Sequence, residues 1–231
     1  MLIIAHRGAS GHFPENTLLS FEEAIKTGAK AIELDIHACK TGELVVIHDD
    51  TVNRTTNKKG NIDNFSLLDL NKLNAGKNEK IPSLLEVLNL VNSRAKINIE
   101  LKGKGTGKKL AAFLTDYCKA HNIKHSNFYI SSFRHNELKI FHHLAPDFPI
   151  GILYHFYPRH FVMLAKKLKA HSINVSFSAL SSTLVNKIHS HNLEVWVYTV
   201  NTIEQYHKVE RLGVDAVFTN FPKLFVESRK K

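Results

Sequence analysis

Three short apolar runs of the sequence lead into side chains that can perform acid-base or phosphate chemistry. Residues 2–8 form the first, an apolar run that ends in His6 and Arg7. A titratable imidazole beside a fixed cation is well suited to meeting a phosphate group. The other two runs carry Glu33 with Asp35, and His48 with Asp49. Together the three runs indicate phosphate-ester chemistry.

The second run predicts a pair of carboxylates on one face of a strand. Side chains alternate along a strand, so Glu33 and Asp35 share one side of residues 31–36 and the aliphatic residues take the other. Two adjacent carboxylates repel each other unless a cation lies between them. Oxygen ligands of this kind favour Mg²⁺ or Ca²⁺ over zinc.

A fourth run repeats this pattern of charged residues on one strand face, because Glu100 and Lys102 share one face of the apolar residues 97–102. Glu100 is then a candidate third oxygen ligand, and Lys102 is a candidate phosphate clamp. Taken singly, each acid is more simply explained by an ordinary salt bridge at a strand end. The joint occurrence of the three acids on strands favours a metal site.

Two histidines, His6 and His48, stand at predicted strand ends, which separates them from most of the 15 histidines in the chain. Cleavage of a phosphodiester needs one group to accept a proton from the attacking hydroxyl and another to protonate the leaving alkoxide. A pair of imidazoles can do this near neutral pH. Zinc ligation is the competing chemistry, but it lacks a nearby cysteine or H-E-x-x-H spacing.

These segments together resemble the glycerophosphodiester phosphodiesterase family. The resemblance extends over nearly the whole chain. It is carried by H-R-G-A-S-G at 6–11, P-E-N-T at 14–17, E-L-D at 33–35, H-D at 48–49, R-T-T at 54–56, I-P-S-L-L-E-V-L at 81–88, E-L-K at 100–102, V-W-V-Y-T-V-N at 195–201 and G-V-D at 213–215.

The resemblance implies a TIM (β/α)₈ barrel of the phospholipase C-like phosphodiesterase type, with these residues at the C-terminal face. It also implies a divalent metal, Mg²⁺ or Ca²⁺, held by Glu33, Asp35 and Glu100. By the same match, His6 and His48 form the acid-base pair. The implied reaction is attack of the glycerol 2-hydroxyl on phosphorus, loss of the alcohol and hydrolysis of a cyclic phosphate.

The resemblance further implies that Arg7 and Lys102 bind phosphate oxygens and offset the charge that develops on them. Trp196 would pack against the glycerol moiety, although a lone tryptophan on an apolar strand is equally well explained as core. Asn220 stands where the family usually has Asp, which questions a local hydrogen bond but not the metal. Cys39 is interpreted as a small buried side chain without chemistry.

The rest of the sequence predicts the elements that must position these groups within a single domain, residues 1–231. Helical periodicity is clearest in Thr17–Thr27, and Ser83 with Glu86 forms a capping box. A polar stretch at about 51–80 predicts a short insertion with one or two helical turns. Barrel strands are expected at 2–5, 31–36, 97–101, 128–131, 150–153, 173–175, 195–197 and 214–218, with an extra strand at 44–47.

The composition limits which binding partners and which cellular compartment are expected. The formal net charge of +10 arises from basic residues scattered along the chain, which argues against a nucleic-acid-binding module. The basic field would attract anionic phosphodiesters and allows transient contact with an anionic membrane surface. No run is long and apolar enough to span a bilayer, and two distant cysteines favour a reducing compartment, so a cytoplasmic location is expected. The oligomeric state is left open.

Two classes of function remain from the sequence. The first is a metal-dependent hydrolase that converts glycerophosphodiesters, such as glycerophosphocholine or glycerophosphoethanolamine, to glycerol 3-phosphate and an alcohol. A lysophospholipase D acting on lysophospholipids is its close variant. The second is a non-catalytic module that binds phosphate esters. The intact set of acids, histidines and cations favours the enzyme.

Overall fold

The computed structural model describes residues 1–156 and 160–228, so residues 157–159 and 229–231 of the predicted domain lie outside the described residues. Eight parallel strands in this part close into a barrel, because the first strand pairs with both the second and the last. Helices follow the barrel strands and surround them. The predicted TIM (β/α)₈ barrel is confirmed.

The barrel strands follow one another around the sheet in chain order, apart from one short strand added at the side. The strands are β1 (Leu2–His6), β2 (Ala31–Ala38), β3 (Leu44–Val46), β4 (Lys96–Leu101), β5 (Phe128–Ser132), β6 (Ile150–Tyr154), β7 (Ser172–Ser176), β8 (Glu194–Tyr198) and β9 (Ala216–Thr219). β3 pairs antiparallel with β2, and the other pairings are parallel. All predicted strands are confirmed to within two residues at each end.

The helices are mostly short and amphipathic. They are α1 (Leu18–Lys26), α2 (Leu67–Leu70), α3 (Leu84–Val91), α4 (Thr106–His121), α5 (His135–Leu144), α6 (Phe161–Lys167), α7 (Ser182–His189), α8 (Ile203–Arg211) and α9 (Pro222–Ser228), with 3₁₀ turns at Ile62–Asn64, His125–Asn127 and Phe177–Ala179. The Thr17 hydroxyl accepts a hydrogen bond from Ser20 N at the start of α1, and Ser83 with Glu86 forms the predicted capping box of α3. No helix in the described part of the chain has the length and apolar character needed to cross a membrane.

Strand alternation sorts side chains between the helices and the barrel interior. On β2 the aliphatic residues Ile32, Leu34 and Ile36 belong to the main core beneath the helices. The residues between them turn inward, where Glu33 and Asp35 are almost fully buried. The interior therefore carries the polar chemistry, while the hydrophobic layer between strands and helices stabilises the barrel.

The stretch after β3 packs as a compact excursion beside the barrel. It contains the turn Ile62–Asn64 and the single-turn helix α2. Its apolar side chains, including Val52, Ile62 and Leu70, form a second small core. This packing fixes the path of residues 48–54, which return to the barrel mouth.

Candidate active site

A cavity of about 360 Å³ opens at the C-terminal ends of the strands. Its wall includes six of the predicted residues, namely His6, Arg7, Glu33, His48, Glu100 and Lys102. Asp35 completes the acidic cluster beside it. A larger groove of about 780 Å³ lies outside the barrel between α1 and α9 and holds none of these residues. The barrel mouth is therefore where the chemistry-bearing side chains meet.

The three predicted metal ligands converge because two adjacent strands hold them in register. Asp35 on β2 is the partner of Glu100 on β4, and Glu33 precedes Asp35 by two residues on the same face. One carboxylate oxygen from each of the three lies within 4.8 Å of the others. The residues are only 2%, 0% and 8% exposed. This buried acidic triad can hold a metal ion.

The electrostatics of the triad also fit a cation. Burial, followed by the charge of Asp35, raises the pKa of Glu33 well above its usual value and the pKa of Glu100 to about 7. Burial opposes ionisation of Asp35 as well, but the charges of Arg7 and Lys102 outweigh it and lower the pKa of Asp35. The buried Oδ1 atom of Asp35 accepts no hydrogen bond from the described residues. A divalent ion would neutralise this concentration of negative charge.

Arg7 joins the triad through both its backbone and its side chain. Its backbone has φ +55°, a conformation that is uncommon outside glycine and frequent at functional sites. This turn lets Arg7 N donate to Glu33 Oε2 at 2.9 Å while Arg7 Nε lies 3.2 Å from Asp35 Oδ2. Asn16, also at positive φ, donates from Nδ2 to the same Asp35 oxygen at 2.9 Å. The carboxylates are therefore held in fixed orientations.

His6, the last residue of β1, is oriented by the amide of Asn220. His6 Nδ1 lies 2.7 Å from Asn220 Oδ1, so Nδ1–H donates to the amide oxygen. Asn220 N in turn donates to Asn201 Oδ1 at 2.9 Å. Asparagine at position 220 therefore forms the local hydrogen bond that its presence in place of Asp had put in question. Burial, assisted by the charge of Arg7, lowers the pKa of His6 to about 4, so its ring is neutral at pH 7.

His48 is held from both sides of its ring. Its Nδ1 atom lies 2.6 Å from Asp49 Oδ1, and its Nε2 atom lies 2.9 Å from Lys102 Nζ. Lys102 Nζ also lies 3.0 Å from Glu100 Oε1. Lys102 therefore connects the second histidine to the acidic triad.

Aromatic side chains form another part of the cavity lining. The rings of Phe133 and His155 stack with their centroids 3.8 Å apart, and Tyr198 meets Phe133 edge to face at 5.7 Å. The Tyr198 hydroxyl donates to the carbonyl of Tyr154 at 2.7 Å, which fixes its ring. The cavity lining is therefore partly charged and partly aromatic.

Trp196 is buried in the barrel and is not among the described residues that line the cavity. It is 1% exposed and packs against Tyr129 and Phe218. Its indole N–H donates to Glu194 Oε2 at 2.7 Å, toward the N-terminal end of β8. The structure therefore supports the core interpretation of Trp196, and Tyr198, two residues further on the same face, lines the cavity instead.

Other site groups had no predicted role. Glu15, Asn16 and Arg54 lie in motifs that the sequence analysis quoted, but those motifs did not indicate which groups they contact. Phe133 and His155 follow strand ends, as His6 and His48 do, and this position was the one available signal. Cys39 is buried in the second small core, in agreement with its structural interpretation.

Known proteins resemble this chain in sequence and in fold. The model of the "Glycerophosphoryl diester phosphodiesterase family" matches residues 6–224. A glycerophosphodiester phosphodiesterase of Caldanaerobacter subterraneus is 34% identical over 100% of this chain and 98% of its own length, and one of Bacillus subtilis is 35% identical over 100% and 87%. A phosphodiesterase of Oleispira antarctica, solved with the product sn-glycerol-3-phosphate, superposes with a TM-score of 0.93 at 28% identity, covering 100% of this chain and 97% of its own.

Proposed function

The chain belongs to the glycerophosphoryl diester phosphodiesterase family, and on this premise we propose that it hydrolyses glycerophosphodiesters to glycerol 3-phosphate and an alcohol. Glycerophosphocholine and glycerophosphoethanolamine are the proposed substrates. The observation that carries the proposal is the convergence of an acidic triad, two histidines and two cations on one cavity. This complete set also argues against a module that only binds phosphate esters.

In this proposal Glu33, Asp35 and Glu100 hold Mg²⁺ or Ca²⁺ through carboxylate oxygens. When bound, the ion supplies charge neutralisation and polarisation of a phosphoryl oxygen. Arg7 and Lys102 bind the remaining phosphate oxygens and offset the charge that develops on them in the transition state. The side-chain contacts of Arg7 with Asp35 and Glu15 support a guanidinium that is already in place before substrate binds.

The two histidines divide the proton transfers between them. The ring of His6 is neutral and donates from Nδ1 to Asn220, so its Nε2 lone pair is available to accept the proton of the attacking glycerol 2-hydroxyl. The Asp49 carboxylate fixes the His48 ring through Nδ1, which leaves Nε2, beside Lys102 Nζ, to pass a proton to the leaving alkoxide. Water then opens the cyclic phosphate with the two roles exchanged.

The size of the cavity favours a deacylated substrate over a lysophospholipid. A volume of about 360 Å³ suits a small polar diester. Trp196 and Tyr129 are buried in the barrel interior and restrict the space available there to a long acyl chain. Asn98 and Ser131 line the cavity with polar groups that can meet the glycerol hydroxyls.

The proposal is tested by measuring choline release from glycerophosphocholine, first with EDTA and then with Mg²⁺ or Ca²⁺ restored. Release that requires the ion is expected, and lysophosphatidylcholine assayed in parallel should react more slowly. Activity that persists fully in EDTA would remove the proposed role of the metal. Faster release from lysophosphatidylcholine would favour a lysophospholipase D, and no release from folded, metal-replete protein would favour a binding role.

The proposed histidine chemistry is tested with His48→Ala during a metal titration. A catalytic imidazole contributes roughly 10²–10⁴-fold, so turnover should fall by that factor at saturating metal. The matched control is His189→Ala, because His189 also pairs with an aspartate, Asp215, at 2.8 Å but does not line the cavity. Unchanged turnover in His48→Ala would refute the assigned role.

A further inference from the structure

An ion-pair chain outside the cavity joins the two ends of the candidate active site. Its members are Glu15, Asp49 and Arg54, and Arg54 is at its centre. Arg54 is not among the described residues that line the cavity, and its side chain is 47% exposed. Arg54 nevertheless contacts Asp49, which contacts His48, and Glu15, which contacts Arg7. The proposed chemistry assigns no role to Arg54.

One end of the chain reaches His48. Arg54 Nε lies 2.8 Å from Asp49 Oδ2, and Arg54 Nη2 lies 3.0 Å from Asp49 Oδ1. Both carboxylate oxygens are therefore fixed by the planar guanidinium. Asp49 Oδ1 is also the acceptor 2.6 Å from His48 Nδ1. The orientation of the Asp49 carboxylate, and with it the imidazole ring, depends on Arg54.

The other end reaches Arg7. Arg54 Nη1 and Nη2 each donate to one oxygen of Glu15 at 2.8 Å, a second two-point contact. Arg7 Nη1 donates to Glu15 Oε1 at 3.0 Å. A single guanidinium thus aligns two carboxylates, which align a cationic and an imidazole side chain that both line the cavity. A lysine has one point charge and cannot make both planar contacts.

We propose that Arg54 is a positioning residue that holds His48 and Arg7 in one catalytic frame through Asp49 and Glu15. This inference rests on the proposed function. Because Arg54 is about half exposed, its ion pairs contribute little to the free energy of unfolding. Its loss should therefore lower turnover much more than stability, since misplacement of catalytic groups by about 1 Å can cost about 10²-fold in rate.

The test compares Arg54→Met with Arg94→Met. Arg94 makes a similar two-point contact with Glu22, at 3.2 and 2.6 Å, and is 42% exposed, but it lies away from the cavity. We expect kcat for glycerophosphocholine to fall about 10 to 100-fold in Arg54→Met, with the wild-type value retained in Arg94→Met. Both variants should unfold at similar temperatures. Arg54→Lys should recover only a minor part of the lost kcat.

Two further readouts separate positioning from a general structural effect. Histidine NMR signals of His48 should shift in Arg54→Met, while those of His189, in its separate pair with Asp215, should not. Added guanidinium should partly restore turnover in Arg54→Ala but not in His48→Ala. Wild-type kcat in Arg54→Met, full activity in Arg54→Lys, or a loss of activity that matches a loss of folded protein would each overturn the inference. An inactive wild-type protein would instead count against the proposed function itself.

Discussion

Replacement of Glu100 by glutamine should stabilise the metal-free protein while removing its stabilisation by a divalent ion. Glu100 is buried beside Asp35, and burial followed by that charge raises its pKa from 4.5 to about 7. Between about pH 4.5 and pH 7, the folded protein therefore keeps a proton that the unfolded chain has released. The contribution of Glu100 to the free energy of unfolding must fall as pH rises through this range, because at this group the folded state binds more protons than the unfolded state.

The magnitude follows from the two pKa values. Their difference of about 2.5, at about 1.4 kcal/mol for each pKa unit, corresponds to about 3 kcal/mol lost above pH 7. Glutamine has nearly the same shape and carries no charge, so Glu100→Gln should recover up to this amount at pH 8. The recovery is an upper value because Lys102 Nζ, 3.0 Å from Glu100 Oε1, loses an ionic partner.

The assay is urea unfolding in EDTA at pH 5.5 and pH 8, repeated with excess Mg²⁺ or Ca²⁺. Wild-type protein should lose stability between the two pH values in EDTA and regain it with the ion. Glu100→Gln should lose less stability between the two pH values, because only Glu33 of the triad then keeps a raised pKa, it should gain little from the ion, and it should be inactive. Glu137→Gln is the control, because this buried glutamate accepts hydrogen bonds from Gly105 N and Gly107 N at 2.8 and 2.9 Å, and its neutralisation should destabilise the protein.

The reasoning is refuted if the stability of metal-free Glu100→Gln changes between the two pH values as much as that of wild type, or if Glu100→Gln is no more stable than wild type at pH 8. Either result would mean that the ionised Glu100 carboxylate is already compensated within the protein. Any need for a cation would then arise from the charge of the bound substrate rather than from the charge of the triad.

Three other substitutions test the placement of individual groups. Trp196→Phe should lose about 1–3 kcal/mol of unfolding free energy, because the hydrogen bond to Glu194 and part of the core packing are removed. Its KM for glycerophosphocholine should stay within about twofold of wild type, and a large rise in KM would favour the predicted contact with glycerol. Asn98→Ala should raise KM about fivefold, because the buried Oδ1 atom of Asn98 accepts no hydrogen bond from the described residues and a hydrogen bond from a substrate hydroxyl would contribute about 1 kcal/mol. Unchanged kinetics would exclude that contact. Ser83→Ala should lower the unfolding free energy by about 1 kcal/mol, because the capping box of α3 is lost, and it should leave kcat unchanged. Thermal unfolding measures the first effect, and an activity assay on the same protein measures the second.

Local patterns made the strands and much of the site predictable. A period of two along residues 31–36 decides that Glu33 and Asp35 face one way and the aliphatic residues the other. Because the C-terminal ends of parallel strands meet at one face of a barrel, residues at several strand ends had to converge. The convergence of the acids with His6 and His48 therefore follows from strand positions alone.

Depth within the barrel and contacts between loops were not predictable in this way. Trp196 and Tyr198 share one face of β8, and the pattern does not reveal which of them reaches the mouth. Arg54 meets Glu15 across 39 residues of sequence, so their contact depends on how the excursion after β3 packs. No spacing rule connects such segments, and only the folded chain brings them together.

Charge balance connects the triad to the choice of substrate. The three carboxylates carry three negative charges when ionised, and Arg7 with Lys102 supplies two positive charges, which leaves the group at minus one. A phosphodiester is a monoanion, so this balance would repel it at a pH high enough to ionise all three carboxylates, two of which have raised pKa values. Addition of a divalent cation changes the group to plus one, which the substrate then neutralises. On this reasoning, the ion is needed for binding of the substrate as well as for the chemical step, so its removal should raise KM in addition to lowering kcat.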